Sequence, residues 1–158
     1  MAWIEGTAKQ SLVIDAPVGR VVEFFAEPEQ LRVCLTQLEK AEEIEPSVWK
    51  WTLREKSEKG IKFQGIYTVR YTRQDDSTVV WETVDAETMR AEGKVVCRAL
   101  GNKTEIDYEE TIATDLPVPK LAAKVFRPIV AHEIRKDVGS YLELVKQHLE
   151  KTHAGNKR

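Results

Sequence analysis

The chain has 158 residues, 42% of them hydrophobic and 32% charged. That balance supports one packed domain and excludes both an intrinsically disordered chain and a polytopic membrane protein. The 24 Lys and Arg against 26 Asp and Glu leave a formal net charge of −2, without the clustered basic excess that nucleic-acid recognition needs.

Residues Met1–Gly6 carry no basic stretch leading into an apolar one, and no run of about 18 apolar residues follows anywhere. The expectation is a cytoplasmic protein with no signal peptide and no spanning helix. Ser11–Asp15 reads as part of a first strand, stopped at Ala16-Pro17. Asp15 has the chemistry of a helix cap and Pro17 suits a first helical turn. Val18, Val21, Val22, Phe24 and Phe25 then recur at helical spacing. After Pro28, residues 29–35 predict a second short helix.

From about residue 38 to 115 the period changes to two. Trp49, Trp51 and Leu53 alternate with Lys50, Thr52 and Arg54. Phe63, Gly65, Tyr67, Val69 and Tyr71 form the apolar set of one long run, and Val79, Trp81 and Thr83 that of the next. Met89, Ala91, Gly93, Val95, Cys97 and Ala99 alternate with Arg90, Glu92, Lys94, Val96 and Arg98. Ile106, Tyr108 and Ile112 alternate with charged neighbours. One apolar and one charged face per strand belongs to an antiparallel sheet wetted on one side. Turn chemistry at Lys59-Gly60, Gln74–Ser77, Asp85–Thr88 and Gly101–Lys103 joins the strands into a meander.

Leu116–Pro119 ends the sheet. From Lys120 to about Glu150 a helix is predicted, its stripe formed by Phe126, Val130, Ile134, Val138, Tyr141, Leu142, Val145 and Leu149. Pro128 predicts a kink or a break near residues 124–128. Residues 1–150 thus make a single domain, and residues 151–158 a frayed polar tail. Cys34 and Cys97 are too far apart for a CxxC motif and read as buried free thiols.

The order is strand, two short helices, about six strands and one long helix. With Leu12-Val13-Ile14-Asp15-Ala16-Pro17-Val18, the helix start running to Phe24-Phe25, Trp81-Glu82 and Gly101–Ile106, it resembles the START-like superfamily, also labelled SRPBCC. That superfamily includes polyketide cyclases and aromatases and coenzyme-Q-binding proteins. The resemblance covers roughly residues 5–150. It implies an α+β helix-grip fold, a curved antiparallel sheet of about seven strands around a long C-terminal helix. It also implies an internal cavity for a hydrophobic small molecule.

Large inward groups (Trp49, Trp51, Phe63, Tyr67, Tyr71, Trp81) beside small ones (Gly65, Ala91, Gly93, Ala99) fit such a cavity. A solid, interdigitated core is the alternative. Val95, Tyr108, Ile134 and Val138 complete the expected ligand-binding set. Strand parity turns Glu110 inward with Tyr108 and Ile112, which makes it the candidate proton-transfer residue. The competing readings of Glu110 are a pairing with an inward Lys or Arg, a position at the cavity mouth near the strand end, or a bulge between residues 104 and 112 that reverses the parity. Thr83 and Thr104 are further polar-handle candidates.

His132 faces away from the helix stripe, and no HExxH, CxxC, GxSxG, Walker or GxGxxG motif occurs. No metal or cofactor is therefore expected. Lys120, Lys124, Arg127, Arg135 and Lys136 are the one basic concentration. They read either as a solvated face or as a transient contact with an anionic membrane. The sequence leaves the oligomeric state open. Three functions remain: a non-catalytic carrier of a lipid, an isoprenoid quinone or a polyketide-like aromatic; a cyclase, aromatase or dehydratase acting on such a ligand; or an interaction module with a filled core.

Overall fold

A computed structural model describes residues 2–58 and 60–156. Strand β1 (Ala2–Ile14) leads into helix α1 (Val18–Ala26), the single-turn helix α2 (Pro28–Leu31) and a 3₁₀ turn at Arg32–Cys34. Strands β2 (Leu38–Glu45) and β3 (Val48–Leu53) form a hairpin, and β4 (Lys56–Glu58) and β5 (Ile61–Phe63) form a smaller one. Strands β6 (Ile66–Arg73), β7 (Thr78–Ala86), β8 (Met89–Leu100) and β9 (Lys103–Leu116) follow. A 3₁₀ turn at Lys120–Ala122 then leads into helix α3 (Ala123–Asn156).

Among the described residues the main sheet has seven strands in the order β1-β9-β8-β7-β6-β3-β2, every pair antiparallel. The N-terminal strand closes on the last one, and α3 lies in the concave side. This is the expected helix-grip arrangement. Among the described residues no helix is long and apolar enough to cross a membrane.

The alternating pattern places Ile14, Val69, Val79, Val95, Cys97 and Ile106 on the concave face. Helix α1 closes one end with Val21, Val22, Phe24 and Phe25, all buried. Helix α3 answers with Ile134, Val138, Leu142, Val145 and Leu149, a stripe at steps of three and four. A second, smaller core of Ala2, Ile4, Leu116 and Val118 holds the start of α3 through Ala122, Ala123, Phe126 and Val130.

Several inward residues of β1 are small: Ala2, Gly6 and Ala8 stand beside the larger Ile4. A Cβ on Gly6 would lie 2.9 Å from Ala131 Cα and 3.1 Å from Ile134 Cδ1. Helix α3 therefore rests hard against the β1 side of the bowl and leaves the β6–β8 side unfilled.

Four expectations change. Asp15 does not cap α1: the residue before that helix is Pro17, with no side-chain cap, and the Asp15 N–H donates to Glu150 Oε2 at 2.8 Å. The run Phe63–Tyr71 is not one strand. It breaks at Gln64-Gly65, where the Gln64 amide donates to the Leu53 carbonyl (3.0 Å) and to Glu39 Oε2 (2.8 Å), and β4–β5 becomes a separate flap. Of the kink and the break expected at Pro128, the break does not occur, since α3 runs from Ala123 through it. Helix α3 also continues to Asn156, past Glu150, because Leu149 is still fully buried and Thr152 bonds back to the His148 carbonyl. Lys59 of the expected Lys59-Gly60 turn and the last two residues of the tail lie outside the described residues.

If the β1–α3 contact is as tight as this, Gly6→Val should cost about 1–3 kcal/mol by overpacking. The check is the midpoint of urea denaturation. An unchanged midpoint would show that the helix does not press on β1.

Candidate functional site

The unfilled side of the bowl is a cavity of about 380 Å³. Its walls come from the sheet (Tyr67, Tyr71, Trp81, Ala91, Tyr108, Glu110), from α1 and the segment after it (Phe25, Leu31, Cys34, Leu35) and from α3 (Val138, Tyr141, Leu144). A second chamber of about 200 Å³ lies toward the start of α3, between Ile61 and Phe63 of the flap and Phe126, Ile129 and Val130. Gln37, Leu53, Met89, Ile112 and Asp137 line both chambers, which makes them two lobes of one cleft. At their junction the Lys56 ammonium donates to Asp137 Oδ2 at 3.4 Å, an ion pair between flap and helix.

The first lobe is centred on Glu110. The β8–β9 and β1–β9 registers run without a shift through this position, so the parity argument holds. Trp81, Gly93 and Glu110 stand side by side on β7, β8 and β9. Only the absent side chain at Gly93 allows the indole to cross β8. A Cβ there would fall 2.8 Å from Trp81 Cζ2 and 2.2 Å from the Glu109 carbonyl oxygen. Across this gap Trp81 Nε1 donates to Glu110 Oε2 at 2.8 Å, and the Tyr108 hydroxyl donates to Oε1 at 3.0 Å. Both donors are neutral. Among the described residues Glu110 has no ion-pair partner, so the expected alternative of an inward Lys or Arg does not occur.

Glu110 is half-buried, and the space it opens into is the cavity. Burial raises its pKa to about 7, while the Trp81 and Tyr108 hydrogen bonds hold it back. Burial also pushes the hydroxyls of Tyr67, Tyr71, Tyr108 and Tyr141 upward. The four tyrosines are therefore neutral at physiological pH. The rings of Tyr71, Trp81, Tyr108 and Tyr141 form a chain of contacts: Tyr71–Trp81 at 6.5 Å, Trp81–Tyr108 at 5.2 Å and Tyr108–Tyr141 at 6.2 Å between centroids. The lobe thus offers flat aromatic walls, one titratable carboxyl and several hydroxyls.

Of the residues singled out in the sequence, Tyr67, Tyr71, Trp81, Tyr108, Glu110 and Val138 line the first lobe. Phe63 and Ile134 line the second. Trp49, Trp51 and Val95 line neither. Trp49 and Trp51 stack at 5.5 Å in the packed core, Trp51 Nε1 donates to the Tyr71 hydroxyl at 2.9 Å, and Val95 is fully buried. Thr83 and Thr104 are committed to backbone, through Ala91 and the Ala16 carbonyl.

Cys34 lines the first lobe, but burial pushes its thiol to about 11 and that of Cys97 to about 12, which leaves both unreactive. Tyr141 was legible in the helix stripe and Met89 in the alternation of β8. Cys34 and Gln37 were not, because only the tertiary course of the chain after α2 brings them here. Among the described residues no group of His, Cys, Asp and Glu is placed to hold a metal ion.

No family model matches the chain, and no curated protein matches its sequence. Solved structures do match. The Zhui aromatase/cyclase from Streptomyces sp. R1128 superposes with a TM-score of 0.71 at 14% identity, over 93% of this chain and 94% of that one. A START superfamily protein from Mycobacterium smegmatis gives 0.65 at 13% identity, over 94% and 97%. The chain has the START-like fold. Norcoclaurine synthase from Thalictrum flavum, solved with a transition-state analogue, gives 0.65 at 10% identity, over 96% and 98%. At these identities the START-like likeness concerns the backbone, and the site has to be read from its own residues.

The Glu110 carboxyl sets a pH dependence. Its folded pKa of about 7 exceeds its ordinary 4.5. The native state therefore holds a proton that the unfolded state releases between these values, and stability falls as pH rises through that window. The loss is roughly 3 kcal/mol and levels off above pH 7. Urea denaturation at several pH values should give this slope for the native sequence and remove it in Glu110→Gln. An equal slope in both proteins would place the carboxyl in water. Trp81→Phe keeps the ring but deletes the donor. A carbon-13 carboxyl titration should then move the Glu110 midpoint upward, and an unmoved midpoint would mean that the indole is not the partner.

Proposed function

We infer that the protein binds a hydrophobic small molecule in the cleft between its sheet and α3. The observation that carries this reading is the cavity of about 380 Å³ with apolar and aromatic walls and Glu110 as its polar focus. Cavities of roughly 300–1,000 Å³ suit small-molecule ligands. Burial of apolar ligand surface supplies the affinity, at roughly 25 cal/mol per Å² before ordering costs are subtracted. Glu110, Tyr67 and Tyr108 orient a ligand oxygen. The shape favours a lipid, an isoprenoid quinone or a polyketide-like aromatic, long or flat enough to use both lobes. The START-like neighbours support this class without naming a ligand.

A second reading is an enzyme of the cyclase, aromatase or dehydratase type. It is favoured by the unpaired Glu110 with a pKa of about 7, where one carboxyl both accepts and returns a proton near neutrality. As carboxylate, Glu110 would take a proton from a carbon beside a ligand carbonyl. As acid, it would return that proton to a departing hydroxyl, which leaves as water. The Tyr108 hydroxyl bonds the carboxylate and holds its orientation.

Native mass spectrometry of the protein purified from its host tests the binding reading. An extra mass released on unfolding and extracted into organic solvent is the expected result. Ser140 is exposed and lines the first lobe from α3, so Ser140→Trp should block entry and abolish that mass without unfolding the chain. A bare mass together with no response from an anilinonaphthalene probe would sink the reading. With the extracted compound in hand, Glu110→Gln separates the two functions. An enzyme loses turnover by about 10²–10⁴-fold and keeps its affinity, whereas a carrier transforms nothing in either form.

A further inference from the structure

We propose that the surface where α3 begins docks on an anionic lipid bilayer. Leu121 is 94% exposed and Val125 is 68% exposed, the two most exposed large apolar side chains among the described residues. They are four apart and stand on the outer side of the turn. Its inner side (Ala122, Ala123, Phe126, Val130) is already packed on Ala2, Ile4, Leu116 and Val118. The fold therefore needs neither side chain where it is.

Lys120, Lys124 and Arg127 are all exposed and form a row beside Leu121, Val125 and Pro128, each one residue earlier in the chain. Around the edge of β1, Trp3 is 43% exposed, with the Arg90 guanidinium 4.9 Å from its ring. Arg127 lines the same depression as Trp3 and Arg90, together with Glu5. Asp115, opposite Trp3 on β9, and Glu92, two residues from Arg90 on β8, are further acids on this outward face. Among the described residues none of Lys120, Lys124, Arg127 and Arg90 is in an ion pair. Four cations outside any ion pair thus stand against Glu5, Glu92 and Asp115.

The combination points to a lipid headgroup layer. Two isolated aliphatic side chains and an indole, framed by cations, match the depth profile of an interface: apolar tips below, Trp at headgroup level, Lys and Arg reaching the phosphates. A protein partner would need a buried area of about 1,200 Å² or more with a contiguous apolar centre, which two side chains cannot supply. The same turn of α3 lines the second lobe with Phe126 and Ile129 on its inner side. Docking would therefore set the apolar end of the cleft against the bilayer. The inference rests on exposure and charge, and holds whether or not the cleft carries a ligand.

Vesicle flotation tests it. The protein should float with phosphatidylcholine vesicles containing about one-third phosphatidylglycerol, not with phosphatidylcholine alone, and should be released at high salt. Trp49, Trp51 and Trp81 are buried, so a blue shift of the emission on binding reports Trp3. The double variant Leu121→Ser/Val125→Ser and the triple variant Lys120→Gln/Lys124→Gln/Arg127→Gln should each weaken binding about tenfold or more. Their thermal melts should be unchanged, because all five side chains are exposed. The proposal is overturned by no flotation with anionic vesicles, by equal flotation with both vesicle types, or by variants that float like the native sequence. It is overturned equally if sedimentation velocity finds a dimer that Leu121→Ser/Val125→Ser dissociates, which would assign the face to a second copy of the chain.

Discussion

Helix α3 can rest on β1 only because neither element carries bulk where they meet. Gly6 on the strand faces Ala131 on the helix, Gly139 lies by Gln10, and a single added carbon at Gly6 would come within 2.9 Å of the helix backbone. The consequence reaches across the molecule. A helix drawn to one rim of a seven-stranded bowl cannot fill the other rim. The side chains opposite, on β6 to β9, then face one another across a gap. The cleft is therefore not a packing defect in the core, which is otherwise continuous from α1 to Leu149. It is the volume left over when a helix of fixed diameter is held off-centre in a curved sheet.

What the gap contains follows from a second small residue. Glycine at position 93 removes a side chain between Trp81 and Glu110. The indole then reaches over the middle strand and gives the carboxyl a partner. Two neutral donors satisfy the Glu110 oxygens without neutralising the charge. Burial and hydrogen bonding pull its proton affinity in opposite directions, and burial wins. An arginine in place of either donor would hold the group ionised and turn the site into a buried salt bridge. The neutral donors leave a carboxyl that can change state.

Much of this was legible in the sequence, because period-two alternation is a strict signal. Every residue from Ile106 to Ile112 faces the side that parity assigns to it, and the inward carboxyl at 110 follows from counting alone. Helix α3 was legible for the same reason, through its three-and-four stripe. The misses share one cause, which is that local chemistry cannot see tertiary partners. Trp49 and Trp51 have the same alternation as the cavity residues, but their strand lies beyond Tyr71, whose hydroxyl takes the Trp51 N–H and closes the wall in front of them. The end of β5 was read as part of a longer strand because Phe63 and Tyr67 keep the same parity across the break. Pro128 left a kink and a break open, and α3 runs through it with the second core holding the preceding turn from below.

The carrier and the enzyme readings are closer than their names suggest. The protein supplies shape, dry aromatic walls and one carboxyl poised between two protonation states. Whether a proton moves depends on what stands beside Glu110. A ligand whose nearest atom is a hydroxyl or a saturated carbon accepts or donates a hydrogen bond and leaves unchanged. A ligand that places an acidic C–H next to a carbonyl at the same point meets a base of matched strength held in position. The four neutral tyrosines and the absence of a cation partner for Glu110, among the described residues, are compatible with either ligand. On the proposed reading the determinant would be how deeply a ligand is seated. Gln37, Leu53, Met89, Ile112 and Asp137 line both lobes where they join, so they are the side chains a deeply seated ligand would have to pass.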